Sequence, residues 1–254
     1  MNLPANRFLA NLRAGRPQIG MWITLASPYA AEVVAGAGFD WAVVDMEHAP
    51  NDITSVLGQL QVLTSHGVPA LVRPDWNDAV KVKRILDIGA QGLVFPMVQN
   101  AAEAARAVAA CRYPPRGVRG VSTSTRANGF GRVTDYFDRV EQETAIITQV
   151  ETRAALAAAL QIGATEGVDG ILFGPSDIAA DMGLLGQPMH SAVWEAILPV
   201  ARALMAAGVP VGTLVTDIPF ARNLMAQGFS YIACGVDTVI LSRGADAVAA
   251  AMKA

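Results

Sequence analysis

The chain alternates between short, almost wholly apolar runs and longer Ala- and Leu-rich stretches whose apolar residues recur at helical spacing. The short runs are typical of buried parallel strands, and the longer stretches are typical of the helices that connect such strands. The predicted strands are Ile19–Leu25, Trp41–Asp45, Ala70–Arg73, Gly92–Phe95, Ala145–Val150, Gly170–Phe173, Val211–Val215 and Tyr231–Cys234. Because a predicted helix follows each of them, one strand–helix unit is repeated along the chain.

The number of these units bears directly on the fold class. Eight regular units in 254 residues favour an α/β fold with a closed (β/α)8 TIM barrel over an open, doubly wound sheet. No change in composition marks a linker, so we expect one domain over residues 1–254. A further helix at Asn6–Ala14 is expected to cap the bottom of the barrel. The long loop Tyr113–Tyr136 is expected to be functional, since long loops in compact domains usually are.

Composition and charge exclude several classes of protein. The chain is 52% hydrophobic, but its apolar runs are too short to span a bilayer, which requires about 18 residues. The first residues lack the apolar core of a signal peptide, so a cytoplasmic location is expected. A net charge of −3 argues against a nucleic-acid partner. Cys111 and Cys234 lie far apart with no CxxC motif, so we expect small buried side chains without a disulfide framework or zinc site.

Polar residues follow the predicted strands at the end where (β/α)8 barrels carry their active sites. Because these positions share one rim of the barrel, their side chains are expected to converge. They are Asp45, Glu47 and His48 after the second strand, Arg73 after the third, Gln149 and Glu151 at the fifth, Ser176, Asp177 and Asp181 after the sixth, and Asp237 after the eighth.

Glu151 and Asp177 are the candidate metal ligands. Two carboxylates, completed by water and a chelating substrate, suit an octahedral Mg²⁺ or Mn²⁺ better than a tetrahedral zinc ion. The alternative for Asp177 is the cap of a short helix that opens at its Gly-Pro-Ser-Asp sequence.

His48 and Arg73 are the other candidate catalytic groups. An imidazole beside Asp45 can serve as a general base, although His48 could instead cap the next helix through Asn51–Asp52. A guanidinium at position 73 can bind a carboxylate or oxo group, or form a salt bridge to a rim carboxylate. No lysine ends a predicted strand, which argues against an aldolase that forms a Schiff base.

Long motifs in this chain resemble those of the class II pyruvate aldolases of the 4-hydroxy-2-oxoheptanedioate aldolase family, within the wider citrate lyase-like group. The matching segments are GMWITLASPYAAEVVAGAGFDWAVVDMEHAPND, VRPDWND, VFPMVQNAAEA, RYPPRGVRGV, QVETRAAL and GPSDIAADMG. The resemblance covers about residues 15 to 245. Met46, which replaces a smaller residue, and the segment GVSTSTRANGFGRV depart from the pattern and bear on the acceptor pocket.

The resemblance implies a role for each matching residue. Glu151 and Asp177 would hold Mg²⁺, Mn²⁺ or Co²⁺, and His48 would transfer protons while Asp45 orients it. Arg73 would bind the oxo acid, and Asp87 would lie near the His–Asp unit. Substrate-binding positions are expected at Gln149, Ser176, Trp22 and Leu214, the last in the aldehyde pocket. The family also implies a homo-hexamer with swapped C-terminal helices.

The sequence therefore predicts a metal-dependent aldolase that cleaves 4-hydroxy-2-oxo acids reversibly to pyruvate, or a close 2-oxo acid such as hydroxypyruvate, and an aldehyde. Two alternatives stay open at this point. A lyase of the malyl or citramalyl type would act on a CoA thioester, although no extended basic surface for CoA phosphates is evident. A barrel that only binds a 2-oxo acid would lack turnover. The acceptor aldehyde and the physiological metal are left undetermined.

Overall fold

Eight parallel strands close into a barrel in which each strand pairs with its neighbours in sequence order and the first pairs with the last. The computed structural model describes residues 1–253. The strands are β1 (Gln18–Ile23), β2 (Trp41–Asp45), β3 (Ala70–Arg73), β4 (Gly92–Phe95), β5 (Ala145–Val150), β6 (Gly170–Phe173), β7 (Val211–Leu214) and β8 (Tyr231–Val236). The predicted (β/α)8 fold is confirmed, and the strand boundaries differ from the prediction by two residues at most.

Helices surround the barrel, and several begin where a side chain caps their first turn. They are α1 (Arg7–Arg13), α2 (Pro28–Ala35), α3 (Ile53–Ser65), α4 (Ala79–Asp87), α5 (Ala101–Cys111), α6 (Tyr136–Arg139), α7 (Arg153–Gly163), α8 (Pro175–Asp181), α9 (Ser191–Ala206), α10 (Ile218–Ala226) and α11 (Asp237–Lys253), with a 3-10 turn at Val140–Glu143. Asp52, Asp78 and Thr152 accept backbone N–H bonds at the starts of α3, α4 and α7. These caps fix the point at which each rim loop turns back into a helix.

The hydrophobic core has two layers, one between strands and helices and one inside the barrel. α1 closes the bottom of the inner layer. The Phe8 ring lies 5.1 Å from the ring centre of Trp41 and 5.6 Å from that of Tyr231, and all three side chains are fully buried. The predicted role of this helix as a cap is therefore confirmed. The filled bottom leaves the opposite end of the barrel for chemistry.

The long loop between α5 and α6 lies at the bottom of the barrel, which corrects one expectation. The helices that follow parallel strands run back to the strands' starting end, so the connection from α5 to β5 lies there. Leu3 packs in a small cluster with Val133, Tyr136 and Val140, which fixes the N-terminal segment over this loop. The loop is thus remote from the rim, and its predicted link to the acceptor pocket is wrong within this chain.

The last helix, α11, is almost unpacked within the chain. Of its residues only Asp237 is buried, and the apolar Ile240, Leu241, Val248 and Met252 are exposed. No helix among residues 1–253 is both long and apolar enough to cross a membrane. Both cysteines are free. Cys111 is buried as predicted, whereas Cys234 is only half-buried.

Candidate active site

A cavity of about 570 Å³ opens at the carboxyl ends of the strands. Seven residues that the sequence predicted for the site line this cavity. They are the predicted metal ligand Asp177 and the predicted catalytic or substrate-binding residues Trp22, His48, Arg73, Gln149, Ser176 and Leu214. Glu151 contacts two residues of this lining, Gln149 and Gly174. These residues therefore converge, as their position after the strands predicted, whereas the predicted rim residues Asp181 and Asp237 do not line the cavity.

Asp45 and Arg73 form a buried ion pair at the ends of β2 and β3. The strand register places these residues side by side. Arg73 donates from Nε to Asp45 Oδ1 at 2.8 Å and from Nη2 to Oδ2 at 2.6 Å. Burial alone would raise the pKa of Asp45, but the Arg73 hydrogen bonds and charge outweigh it, so the pKa is lowered. Asp45 is therefore an anion whose partner is Arg73.

This pairing differs from the prediction that Asp45 orients His48. Besides Arg73, the Asp45 carboxylate accepts from Trp22 Nε1 at 3.2 Å and from the Glu47 backbone N–H at 2.9 Å. Within residues 1–253 no hydrogen bond joins it to His48. Four donors already surround both oxygens, so Asp45 positions Arg73 and Trp22, and His48 is left exposed at the cavity edge.

Two neighbours complete the setting of Arg73. Its guanidinium lies 4.9 Å from the ring centre of Trp22, and Nη1 lies 2.8 Å from Glu47 Oε2. Burial raises the pKa of Glu47, against the opposing charges of Arg73 and His48. Glu47 received no role from the sequence beyond its place on the rim, yet it is the second carboxylate that fixes the guanidinium.

Replacing Arg73 by Met should lower the free energy of unfolding by about 3–5 kcal/mol, because it leaves the buried Asp45 carboxylate without its partner. The double change Asp45→Asn with Arg73→Met should recover most of that loss, since neither side chain then carries a buried charge. Urea denaturation of the metal-free proteins measures both effects. A single variant as stable as the parent would contradict the buried pair.

Glu151 is a buried carboxylate at the end of β5. Its Oε2 accepts the Met97 backbone N–H at 2.6 Å, and its Oε1 accepts Gln149 Nε2 at 2.9 Å. Met97 adopts a left-handed backbone with φ of 53°, which is uncommon for a residue with a side chain. Burial raises the pKa of Glu151 to about 7, and the nearby Asp177 and Glu47 charges add to the rise although Met97 opposes it.

The donor set fits a divalent cation. Glu151 and Asp177 are close enough for mutual repulsion to affect the Glu151 pKa, and a cation between carboxylates would relieve it. The buried Gln149 Oε1 has no hydrogen-bond partner. Among residues 1–253 no group of three or more His, Cys, Asp or Glu side chains is arranged for a metal. The protein thus offers two carboxylates, and an ion such as Mg²⁺ retains several positions for water and substrate.

Gly174, at the end of β6, allows Glu151 its position. A Cβ on Gly174 would lie 2.7 Å from Glu151 Cγ and 2.8 Å from its Oε1, which is closer than such atoms approach. The main chain between β6 and α8 therefore contacts the carboxylate directly. Pro175 then begins α8, whose first turn carries Ser176 and Asp177.

Gly174→Ala should therefore weaken metal binding by displacing the Glu151 carboxylate. We expect a loss of about tenfold or more in metal affinity, the range seen when groups that position ligands are changed. Gly36→Ala is the matched control, because a Cβ there meets nothing closer than 3.8 Å. Titration of each apo-protein with Mn²⁺ gives the affinities, and unchanged binding by Gly174→Ala would refute this role.

Asp87 lies away from this site, contrary to its predicted place near the His–Asp unit. It ends α4 and accepts a hydrogen bond from Arg119 Nη2 at 2.8 Å in the bottom loop. Because α4 runs from the rim to the bottom, Asp87 and His48 stand at opposite ends of the barrel. Asp181 and Asp237, also on the predicted rim, are structural: Asp181 bonds Arg153, and Asp237 accepts from Thr24 and Leu25.

Some lining residues were not anticipated. Met189, Thr216, Asp217 and Arg243 also border the cavity. They come from the loop before α9, the segment after β7, and α11. Thr216 and Asp217 could have been found, because they follow a strand as the other rim residues do. Nothing local marks Met189 or Arg243, whose placement depends on tertiary packing.

The rim of this (β/α)8 barrel carries an arginine, a histidine and two carboxylates that suit a divalent ion. This arrangement suits the chemistry of a metal-assisted lyase. Residues 18–243 match the family described as HpcH/HpaI aldolase/citrate lyase, and the chain belongs to that family. The family predicted from the sequence motifs is therefore confirmed.

Similar proteins carry aldolase names. The chain is 47% identical over 246 residues to the 4-hydroxy-2-oxo-heptane-1,7-dioate aldolase of Salmonella paratyphi C, covering 96% of this chain and 94% of that one. It is 50% identical over 250 residues to the pyruvate aldolase of Rhizobium etli, covering 98% of each. A crystal structure of a family member from Burkholderia cenocepacia J2315 superposes with a TM-score of 0.93 at 36% identity, covering 98% and 100% of the two chains. The predicted enzyme class, an aldolase among the carbon–carbon lyases, is confirmed.

Proposed function

We propose that the protein cleaves 4-hydroxy-2-oxo acids reversibly to pyruvate, or a close 2-oxo acid such as hydroxypyruvate, and an aldehyde. The observation that carries the proposal is the convergence of His48, Arg73, Asp177 and the buried Glu151 at one cavity. Relatives with 47% and 50% identity are named as aldolases for such chemistry. The combination of a base, a cation and metal-compatible carboxylates suits carbon–carbon cleavage next to a carbonyl.

Glu151 and Asp177 would hold the divalent ion, with Mg²⁺, Mn²⁺ and Co²⁺ as candidates. When bound, such an ion supplies Lewis acidity toward the 2-oxo acid. Gln149 orients Glu151 through its amide N–H, and its Oε1 is buried without a hydrogen-bond partner. The start of α8 at Ser176 offers backbone N–H groups to the substrate carboxylate.

Arg73 stabilises the negative charge that develops on the 2-oxo oxygen. Asp45 accepts hydrogen bonds from two of its five N–H groups, and Glu47 lies within salt-bridge distance of Nη1, so N–H groups on both terminal nitrogens are left for the substrate. Both carboxylates and the Trp22 ring hold the guanidinium still. A charge fixed in advance stabilises a transition state better than one that must move into place.

His48 accepts the proton of the 4-hydroxyl group during cleavage. The C3–C4 bond breaks, its electron pair passes to C3 and the 2-oxo group, and C4 leaves as the aldehyde carbonyl. A proton then returns to C3 to give the 2-oxo acid. Leu214 and Met189 provide an apolar wall for the departing aldehyde.

Removal and return of metal tests the proposal. The chelated protein should release no pyruvate from 4-hydroxy-2-oxo acids in a coupled assay, and Mg²⁺, Mn²⁺ or Co²⁺ should restore it. Full activity after chelation would contradict a metal-dependent reaction. No turnover with any metal would remove the aldolase proposal, and CoA thioesters would then be the next substrates to assay.

Three wider features of the protein belong to the same proposal. We take residues 1–254 as one aldolase domain that acts in the cytoplasm. The exposed apolar side chains of α11 support a homo-hexamer with exchanged C-terminal helices, because they need cover that the chain itself does not give.

A further inference from the structure

Two separate segments of the chain form one wall of the candidate active site. The loop between α8 and α9 contributes Pro188 and Met189, and residues 214–217, which join β7 to α10, line the cavity as well. We call these two groups of residues together the two-segment wall. Pro188, Met189, Leu214 and Val215 make most of it apolar. It holds neither candidate metal ligand, nor His48 or Arg73, so its contribution to the site is shape.

The loop between α8 and α9 turns on two glycines. Gly183 and Gly186 adopt left-handed backbones, with φ of 77° and 78°. The Gln187 N–H donates to the Leu184 carbonyl and the His190 N–H to the Gln187 carbonyl, each at 3.0 Å. These bonds shape the loop, but no hydrogen bond among residues 1–253 joins it to residues 214–217. Another residue is therefore needed to hold the two parts of the wall together.

Trp194 contacts both parts from the buried face of α9. The residue is only 5% exposed. Its Nε1 donates a hydrogen bond to the Pro188 carbonyl at 2.9 Å. Its ring meets the ring of Phe220 edge to face, with the ring centres 4.7 Å apart and the planes at 70°. Such aromatic pairs are favourable beyond the area that they bury. Trp194 therefore links the loop before α9 to the first turn of α10.

The start of α10 joins Phe220 to the second part of the wall. Asp217 lines the cavity and caps this helix, and its Oδ1 accepts the Phe220 N–H at 2.8 Å. The Asp217 carbonyl also accepts the Ala221 N–H at 2.8 Å. A shift of the Phe220 ring would therefore move Asp217, and with it the adjoining Thr216. Through Trp194 and Phe220 the two segments are held at one separation.

The order of the strands places part of this wall opposite Arg73. In the closed ring of eight, β7 stands four strands from β3 in either direction. Arg73 ends β3, and residues 214–217 include the end of β7 and its continuation. A substrate whose 2-oxo group lies at Arg73 would therefore extend its remaining carbons toward the two-segment wall. Those carbons belong to the aldehyde part of the proposed substrate.

We propose that Trp194 is a positioning residue that determines which size of aldehyde the site accepts, by fixing the separation of the two parts of the wall. This inference rests on the proposed function. Trp194 touches no reacting atom and acts only through Pro188 and Phe220. A fixed apolar wall holds a short aldehyde close to the attacking carbon, whereas a loosened wall holds it poorly and leaves room for a longer chain.

Trp194→Phe removes the Nε1 donor while keeping an aromatic ring next to Phe220. Aldol addition of pyruvate to propanal and to hexanal by the Mn²⁺-loaded enzyme measures the effect. We expect the KM for propanal to rise by about two- to tenfold, the range that corresponds to one hydrogen bond. The kcat/KM for hexanal relative to that for propanal should rise by a similar factor. The KM for pyruvate should not change.

Exchange of the C3 protons of pyruvate in D2O, followed by NMR without any aldehyde, is the internal control. This partial reaction does not use the aldehyde part of the site, so Trp194→Phe should match the parent. Trp76→Phe is the matched control variant, because Trp76 is 58% exposed and does not line the cavity. It should leave both reactions unchanged.

The two reactions separate failure of this inference from failure of the proposed function. A parent protein that neither exchanges C3 protons nor adds an aldehyde would refute the proposed function itself. Normal exchange with an unchanged KM for propanal and an unchanged preference between the two aldehydes would overturn the role of Trp194. Exchange that falls as much as addition would also overturn it, since Trp194 would then support the whole site and not the aldehyde wall.

Discussion

Glu151→Gln should lose aldol cleavage at ordinary metal concentrations and, without metal, become more stable than the parent protein above pH 7. The first effect follows because a neutral amide is a far poorer ligand for Mg²⁺ than a carboxylate. The second follows because the metal-free protein buries this carboxylate, which raises its pKa from 4.5 to about 7.

The sign of the pH dependence follows from proton linkage. The folded protein binds the Glu151 proton more tightly than the unfolded chain does, so stability falls as the pH rises from 4.5 to about 7. The difference is up to about 3 kcal/mol at higher pH, from about 1.4 kcal/mol per pKa unit. Glutamine carries no charge at any of these pH values. The gain should therefore be full above pH 7 and absent below 4.5.

Urea denaturation of the chelated parent and variant at pH 5 and pH 8 measures the gain. Gln149 can turn its Oε1 toward the new amide, so the two side chains can keep one hydrogen bond between them. Asp177→Asn is the matched control. This substitution should also lower metal affinity, but it should give no comparable gain in stability because the Asp177 side chain is exposed. Equal unfolding free energies for parent and Glu151→Gln at pH 8 would disprove the destabilisation by a buried, charged carboxylate at position 151.

The sequence was sufficient for the barrel because each strand is a short apolar run with a helix of clear periodicity behind it. β2, β3, β4, β5 and β6 begin and end where predicted. The rim residues could be predicted from the same pattern, since the carboxyl ends of all parallel strands lie at one end of the barrel. His48, Arg73 and Asp177 meet at one cavity for that reason.

The partners of those residues could not be predicted as well. The sequence motif pairs Asp45 with His48, three positions away, but strand register sets Asp45 beside Arg73 on β3. The register is the set of residue pairs between two neighbouring strands, and the apolar sequence of one strand does not specify those pairs by itself. The left-handed backbone of Met97, which aims an N–H at Glu151, likewise has no signature in a methionine.

The position of Asp87 shows a second reason why the sequence could not predict every residue of the site. A motif match gives a residue its relatives' role, but only the direction of the helix shows which end of the barrel it reaches. α4 carries Asp87 to the bottom, where Arg119 is its partner. The same argument places the long loop after α5 at the bottom of the barrel, away from the rim of this chain. Chain direction between strands decides both positions.

His48→Ala should reduce turnover by about 10²–10⁴-fold, which is the usual contribution of a general base. Its effect on folding should be small, because the side chain is exposed and the structure gives it no hydrogen bond among residues 1–253. Metal affinity should stay near that of the parent, since the carboxylates at 151 and 177 are untouched. Steady-state rates of pyruvate release, with Mn²⁺ titration of the same samples, measure both quantities.

Added imidazole should restore part of the lost rate, because a free base can enter the space that the side chain vacates at the cavity edge. A residue with a merely structural role would not respond in this way. His66→Ala is the matched control: that exposed histidine caps the end of α3, away from the rim, and its loss should leave turnover unchanged. Turnover of His48→Ala equal to that of the parent would remove His48 from the mechanism. Asp45, already bound to Arg73, could not replace it, so solvent would have to take the 4-hydroxyl proton.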